Sequence, residues 1–155
     1  PRAHGSMNPG ATNMYRLAGP IAGVTTFMGD FLKGFLPIFI LASENLTTGY
    51  LFSFSLLLGH MFSIFNNFKG GKGVATSFGF ILALNYYIGI MIILVWILIF
   101  LIKRISGLSA IISFISLPLV SYLVIDEYTF FLLSIIHSLI ILVNHKKNIK
   151  VLLQG

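Results

Sequence analysis

Three glycines and two lysines occupy five consecutive positions, Lys69-Gly70-Gly71-Lys72-Gly73. Glycine has no Cβ, so a glycine-rich turn leaves its backbone N–H groups open to close approach by an anion. Two ammonium groups in the same turn add charge, and the natural guest is a phosphate. A nucleotide-binding loop would need Gly, four residues, Gly-Lys and then Ser or Thr. Here Asn66 stands five before Gly71, and Gly73 follows Lys72, so that loop and its magnesium-holding hydroxyl are absent. What remains is a backbone nest flanked by lysines. The plainer alternative is a membrane-surface turn whose lysines only orient the chain.

A second polar cluster runs through residues 5–16. Ser6, Asn8, Thr12 and Asn13 supply hydroxyl and amide groups, and Arg16 can grip a phosphate with two parallel N–H bonds. The same residues would also serve as a helix-capping turn. Asp30 and Lys33, three apart, fall on one helix face, and charges inside an apolar run are costly unless paired or used; an ion pair tying helices together is the structural expectation. His60 ends an apolar run, where a loop carbonyl is its expected partner. His137 lies inside the last run and reads as an interhelical bond. His145 and Asn148, three apart, could share a face toward a substrate oxygen or cap the last helix. His4 adds nothing beyond its loop.

Several chemistries are excluded. With no cysteine there is no thiolate nucleophile, disulfide or thiolate metal site. Four acidic residues are too few for a carboxylate-held metal cluster. No histidine has an aspartate five residues on, so the soluble acyltransferase motif is missing, and no Ser–His–Asp spacing is readable. No metal or cofactor is expected.

The elements that must position these groups are apolar. Of 155 residues, 57% are hydrophobic and 9% charged, against about 25% charged in a typical soluble domain. The fold class expected is an all-α integral membrane protein, a single membrane-embedded domain over 1–155. Apolar runs at 17–42, 46–65, 74–84, 88–102, 108–125 and 128–143 predict six transmembrane helices. Spanning about 30 Å takes about 20 residues, so 74–84 is short and qualifies only by starting in the glycine turn and taking in Tyr86 and Tyr87. Six alternating spans put Arg2, Arg16, Lys69, Lys72, Lys103, Arg104, Lys146, Lys147 and Lys150 on one side, and Glu44, Asp126 and Glu127 on the other. By the positive-inside rule the basic side is cytoplasmic. Both polar clusters and the end of the last run fall on it. The net charge of +6 then suits anionic headgroups and phosphorylated substrates better than nucleic acid, because the basic residues sit in short loops between apolar runs.

Taken together, the motifs resemble those of the bacterial membrane acyl-phosphate:glycerol-3-phosphate acyltransferases. The first is His4-Gly5-Ser6-x-Asn8-Pro9-Gly10-Ala11-Thr12-Asn13-x-x-Arg16. The second runs from Gly59-His60 through Lys69-Gly70-Gly71-Lys72-Gly73-Val74-Ala75-Thr76. The third begins His145-x-x-Asn148-Ile149, and Asp30-x-x-Lys33-Gly34 resembles a further family segment. Met7 stands where the family usually has Gly, Gly107 where it commonly has Ser, and Val151 where a basic residue is common. The resemblance implies seven spans in the full-length parent, one of them ahead of His4, and a Thr-Glu pair after Gly155.

It also implies an inner-membrane enzyme, active at the cytoplasmic face, that moves a fatty acyl group from acyl phosphate to glycerol-3-phosphate, giving lysophosphatidic acid and phosphate. Ser6, Arg16, Lys72, His145 and Asn148 would hold glycerol-3-phosphate. Asn8, Thr12, Asn13, Lys69, Gly70, Gly71 and Gly73 would hold acyl phosphate, with His60, Thr76, Arg104, Asp30 and Lys33 in support. Its partners would be the two substrates and membrane lipid, with no obligatory protein. The rival class is a small carrier or lipid-binding module for phosphorylated anions. A carrier needs polar groups through the midplane, and here only Asp30, Lys33 and His137 lie that deep.

Overall fold

A computed structural model describes residues 5–41, 45–64 and 67–154. Arg2, His4, Glu44, Phe65, Asn66 and Gly155, all used above, lie outside the described residues. The described residues form helices and their connections: α1 (Ala11–Leu41), α2 (Leu46–Met61), α3 (Val74–Leu84), α4 (Tyr86–Lys103), α5 (Ser106–Val124), α6 (Tyr128–Asn144) and α7 (Lys146–Leu153).

Local chemistry sets the boundaries. Asn45 caps α2 by accepting from the Thr48 N–H, and Asn85 caps α4 by accepting from the Ile88 N–H. Arg104, left-handed at φ 56°, closes α4 just before α5 begins. In α1 the helix breaks at Gly19, whose φ of 85° and ψ of −178° are open essentially to glycine alone. Pro20 follows without an N–H to donate. The Gly19-Pro20 dipeptide is a breaker signal readable in the sequence. The break splits α1 into a short N-terminal segment and a long apolar helix. The polar residues at 11–16, read above as a phosphate-gripping cluster or a helix-capping turn, are helical.

Three helices are long and apolar enough to cross a membrane: α1, α4 and α5. Helices α6 and α7 make a fourth if that pair, bent by 66°, counts as one span. The tyrosines expected to lengthen α3 belong to α4, because Asn85 ends one helix and caps the next. Helix α3 keeps 11 residues, a rise of about 16 Å. It is also the most enclosed helix, with Thr76, Ser77, Phe78, Gly79, Phe80, Ile81 and Leu84 all buried.

The helices ring this short element. α1 lies along it, then α3 meets α4, α4 meets α5, α5 meets α6, and α6 returns through α2 to α1. Between helices in lipid, burial of apolar surface does little, so close packing and polar bonds hold them together. Two glycines bring α1 and α3 into backbone contact. A Cβ on Gly34 would land on the Thr76 carbonyl, and one on Gly79 would land on the Phe31 carbonyl. Polar bonds cross other seams: Ser113 Oγ donates to the Ile92 carbonyl at 2.7 Å, and Ser138 Oγ to the Phe114 carbonyl at 2.5 Å. Gly79→Val is expected to destabilise the bundle by about 2–3 kcal/mol, the cost of overpacking, read as a lower melting temperature in detergent. Gly29→Ala, whose Cβ meets open space, should leave that temperature unchanged or slightly raised. Equal behaviour of the two variants would contradict the contact.

Candidate functional site

The glycine–lysine turn is held against the end of α2. The Gly70 N–H donates to the Met61 carbonyl at 2.8 Å. A Cβ on Gly70 would strike the His60 and Met61 carbonyls, and one on Gly71 would strike the His60 ring. Gly73 then takes φ 89° as the residue that opens α3. The first rung of α3 is the Ser77 N–H to the Gly73 carbonyl at 2.8 Å. The N–H groups of Val74, Ala75 and Thr76 come before that rung, as the first amides of any helix do, and point back into the turn.

Other segments close around it. Lys72 Nζ donates to Asn148 Oδ1 of α7. Asn148 also lies against Gly107, where a Cβ would meet its Nδ2. One residue earlier, Ser106 at the start of α5 bonds Thr12 of the N-terminal segment, Oγ to Oγ1 at 2.9 Å. Arg16, exposed, stands one helical turn beyond Thr12 on the same face. Thus the N-terminal segment, the start of α5, α7 and the glycine–lysine turn form one connected arc. Ser106 was absent from the sequence candidates. Its signal was available: a Ser directly after the basic pair Lys103-Arg104 and its connecting Ile105, at a helix start on the same side as both polar clusters.

Two clefts complete the site. One, of about 340 Å³, is lined by Met7, Pro9, Asn67, Lys69 and Gly70. The other, of about 550 Å³, lies between α1 and α2 and is lined in part by Asp30, Lys33, Ser55, Leu56, His60 and Gly71. Pro9 and Gly70 border both, so the clefts adjoin where the N-terminal segment meets the turn. Met7, at the position where glycine was expected, takes φ 57°, a conformation glycine adopts freely. Ser6 is tied in through its N–H, which donates to Asn13 Oδ1 at 3.0 Å. Asn13 is buried there, so its side chain shapes the loop.

The remaining candidates separate. Lys33 Nζ reaches Asp30 Oδ1 at 2.5 Å within α1, and His60 Nδ1 of α2 stands 3.7 Å from the same oxygen. His60, expected to meet a loop carbonyl, thus faces the Asp30 carboxylate beyond hydrogen-bond reach, and the ion pair expected to tie helices together closes within α1. Thr76 is buried in the α1–α3 contact, and its hydroxyl has no partner among the described residues. Arg104 is exposed at the end of α4. His145 stands at the bend between α6 and α7, so it and Asn148 are not neighbours on one straight helix.

Electrostatics shape the centre of the arc. Burial, and then the charge of Lys147, lower the pKa of Lys72. His145 is buried, and burial brings its pKa down from 6.5 to about 4, with Lys72 adding to the fall and a bond to Ile141 opposing it. Its ring is neutral at pH 7. Nδ1–H donates to the Ile141 carbonyl at 2.8 Å, which leaves Nε2 as the acceptor. An unfolded chain would bind a proton at His145 near pH 6.5 that the folded chain refuses until about pH 4. Stability should therefore fall as pH drops through that window, and His145→Gln should reduce the slope of stability against pH by about one proton. Melting temperatures of the two proteins between pH 7 and 4.5 check this; parallel curves would refute it.

A family model described as glycerol-3-phosphate acyltransferase matches residues 1–155. The chain belongs to the glycerol-3-phosphate acyltransferase family. It is 40% identical over 164 residues to the glycerol-3-phosphate acyltransferase of Nitrosomonas eutropha, covering 100% of this chain and 80% of that protein. It is 39% identical over 158 residues to the one from Colwellia psychrerythraea, covering 100% and 79%. Among solved structures, the chain superposes with a TM-score of 0.93 and 38% identity on PlsY, an integral membrane glycerol 3-phosphate acyltransferase, in its glycerol 3-phosphate form, over 99% of this chain and 78% of that one. The lysophosphatidic acid form of PlsY gives 0.90 and 37%, over 97% and 78%. The fold of this chain is thus that of an integral membrane acyltransferase family.

Proposed function

We propose that this protein transfers a fatty acyl group from acyl phosphate to the first hydroxyl of glycerol-3-phosphate, yielding lysophosphatidic acid and phosphate. The observation that carries this is the arc around Lys72, where the Thr12–Ser106 and Lys72–Asn148 bonds bring four separate segments to one helix N-terminus. Two phosphate-bearing substrates need such a convergence of cations and open N–H groups. Their chemistry needs no covalent intermediate, because acyl phosphate is already a mixed anhydride. Six of the helices are read as crossing the inner membrane, α3 completing its crossing with the flanking turns, and the arc faces the cytoplasm.

In this reading Ser6, Arg16, Lys72, His145 and Asn148 hold glycerol-3-phosphate, and Ser106 joins them through Thr12. Asn8, Thr12, Asn13, Lys69, Gly70, Gly71 and Gly73 receive the acyl phosphate. The acyl chain runs along the cleft between α1 and α2, with Asp30, Lys33 and His60 beside it and the tail in lipid. The glycerol hydroxyl attacks the acyl carbon. The new C–O ester bond forms as the C–O bond to phosphate breaks, and the hydroxyl proton passes to the departing phosphate. His145, whose Nδ1–H is taken by the Ile141 carbonyl, presents Nε2 as an acceptor that receives a hydrogen bond from the hydroxyl and aims it.

The deciding assay uses the protein at the full length of its relatives, in detergent, with acyl phosphate and labelled glycerol-3-phosphate. Labelled lysophosphatidic acid should form, and an acyl-carrier thioester should not replace the donor. A protein that binds both substrates and transfers nothing would favour the carrier or lipid-binding alternative. Arg16→Ala should raise the KM for glycerol-3-phosphate by about tenfold or more, as expected for a lost charged bond, and leave that for acyl phosphate within twofold. The reverse pattern would overturn the assignment of substrates to residues.

A further inference from the structure

Buried polar groups also lie outside the arc, among them one histidine. His137, in the middle of α6, is fully buried, and both of its ring nitrogens are engaged. Nδ1 meets Tyr50 Oη of α2 at 3.0 Å, and Nε2 meets Ser77 Oγ of α3 at 2.8 Å. A neutral imidazole donates through one nitrogen and accepts through the other, and each hydroxyl can do either, so both pairs are satisfied at once. Phe80, Phe114 and Phe54 close around the ring, with centroids 5.0, 5.3 and 6.1 Å away. Nothing there admits a substrate, so the group performs no chemistry of its own.

Its position along α6 gives it another use. His137, Ile141 and His145 recur every four residues on one face. His137 holds Ser77, Ile141 lies against Gly73, and His145 is close enough to Lys72 to feel its charge. Ser77 is in turn the residue whose N–H closes the first rung of α3 on the Gly73 carbonyl. Beside the Ser77 bond, α3 meets α6 through the Phe80 ring on His137 and through Ile141 near Gly73, apolar contacts that tolerate small displacements. A hydrogen bond, with its narrow range of distance and angle, does not.

We propose that His137 is a positioning residue. Its bond to Ser77 sets the height of the α3 N-terminus against α6, and so places Lys72 and Gly73 opposite His145 and Asn148. This rests on the reading of the arc as the site for glycerol-3-phosphate.

Ser77→Ala removes the bond at the α3 end, and Tyr50→Phe removes the one at the α2 end while leaving Ser77 held. Ser77→Ala should raise the KM for glycerol-3-phosphate about fivefold, the equivalent of one ordinary hydrogen bond, with kcat within twofold. Tyr50→Phe should lower the melting temperature comparably and leave that KM within twofold. His137→Phe should raise the KM as Ser77→Ala does, and the double variant no further, because the same bond is lost. If Ser77→Ala and His137→Phe keep the wild-type KM, or if KM merely follows melting temperature across all three single variants, His137 is only a structural tie. Glycerol-3-phosphate binding, measured by the thermal shift it produces, reads the clamp without turnover. A wild type that binds the ligand but transfers nothing would sink the transferase reading alone, and the same fivefold loss in affinity would still test the clamp. A wild type that shows neither binding nor transfer would overturn both.

Discussion

Lys72→Ala is expected to lower kcat/KM for glycerol-3-phosphate by about 10³-fold, the upper range for removing one preorganised donor from a partly dry site. Lys72 is half-buried, bonded to Asn148, and set between two glycines that supply no side chain of their own. Removing its charge also leaves Asn148 Oδ1 without that donor, which loosens the link from the turn to α7. Lys72→Arg should recover only part of the activity: the planar guanidinium is longer, and its fork does not fit where a compact ammonium meets one amide oxygen. Steady-state kinetics in detergent decide the matter. A loss smaller than tenfold in Lys72→Ala would show that Lys72 serves only the positive-inside charge.

Gly70→Ala is expected to cost about 10²-fold in kcat/KM while the helices still assemble, because misplacing a binding group by an ångström is enough to lose that much. A Cβ there has no flexible side chain to displace. It meets the backbone carbonyls of His60 and Met61, the second of which also accepts the Gly70 N–H. The turn must therefore lift from the end of α2, carrying Lys72 and the start of α3 with it and changing the wall shared by both clefts. Gly29→Ala is the matched control, since its Cβ meets nothing within 4 Å. Kinetics of the two variants beside their circular dichroism would separate a displaced turn from an unfolded bundle. Wild-type kinetics in Gly70→Ala would mean that the turn sits elsewhere when substrates bind.

Much of the candidate site was legible before any fold was known, because phosphate chemistry has a recognisable composition. Lys69 to Gly73 declares itself by bare amides and charge, and the failed nucleotide spacing narrows the guest. The helical class was equally plain, since continuous apolar runs with polar breaks leave few other structures in lipid. Other features were hidden for identifiable reasons. Ser106 is an unremarkable residue at a helix start until Thr12, 94 positions away, is found bonded to it. His60 was expected to meet a loop carbonyl, and only the approach of α2 to α1 brings its ring to 3.7 Å from Asp30. Gly19 and Pro20 signalled a break, but the apolar run continuing past them masked it.

The sequence by itself determined the solvent of this protein, its helical character, the place of the glycine–lysine turn and, through the motifs, its family. These follow from composition and short spacing, which are local properties of a chain. Tertiary structure decided what stands next to what. It made the short third helix the enclosed centre of the ring and tied Lys72 to Asn148. It also bent the chain by 66° at His145 and joined His137 to Ser77. Those outcomes depend on how closely backbones can approach where glycine removes a side chain, and on buried polar groups finding partners far along the sequence. Such pairings cost too much to leave unmade in an apolar interior, and no local pattern records which one forms.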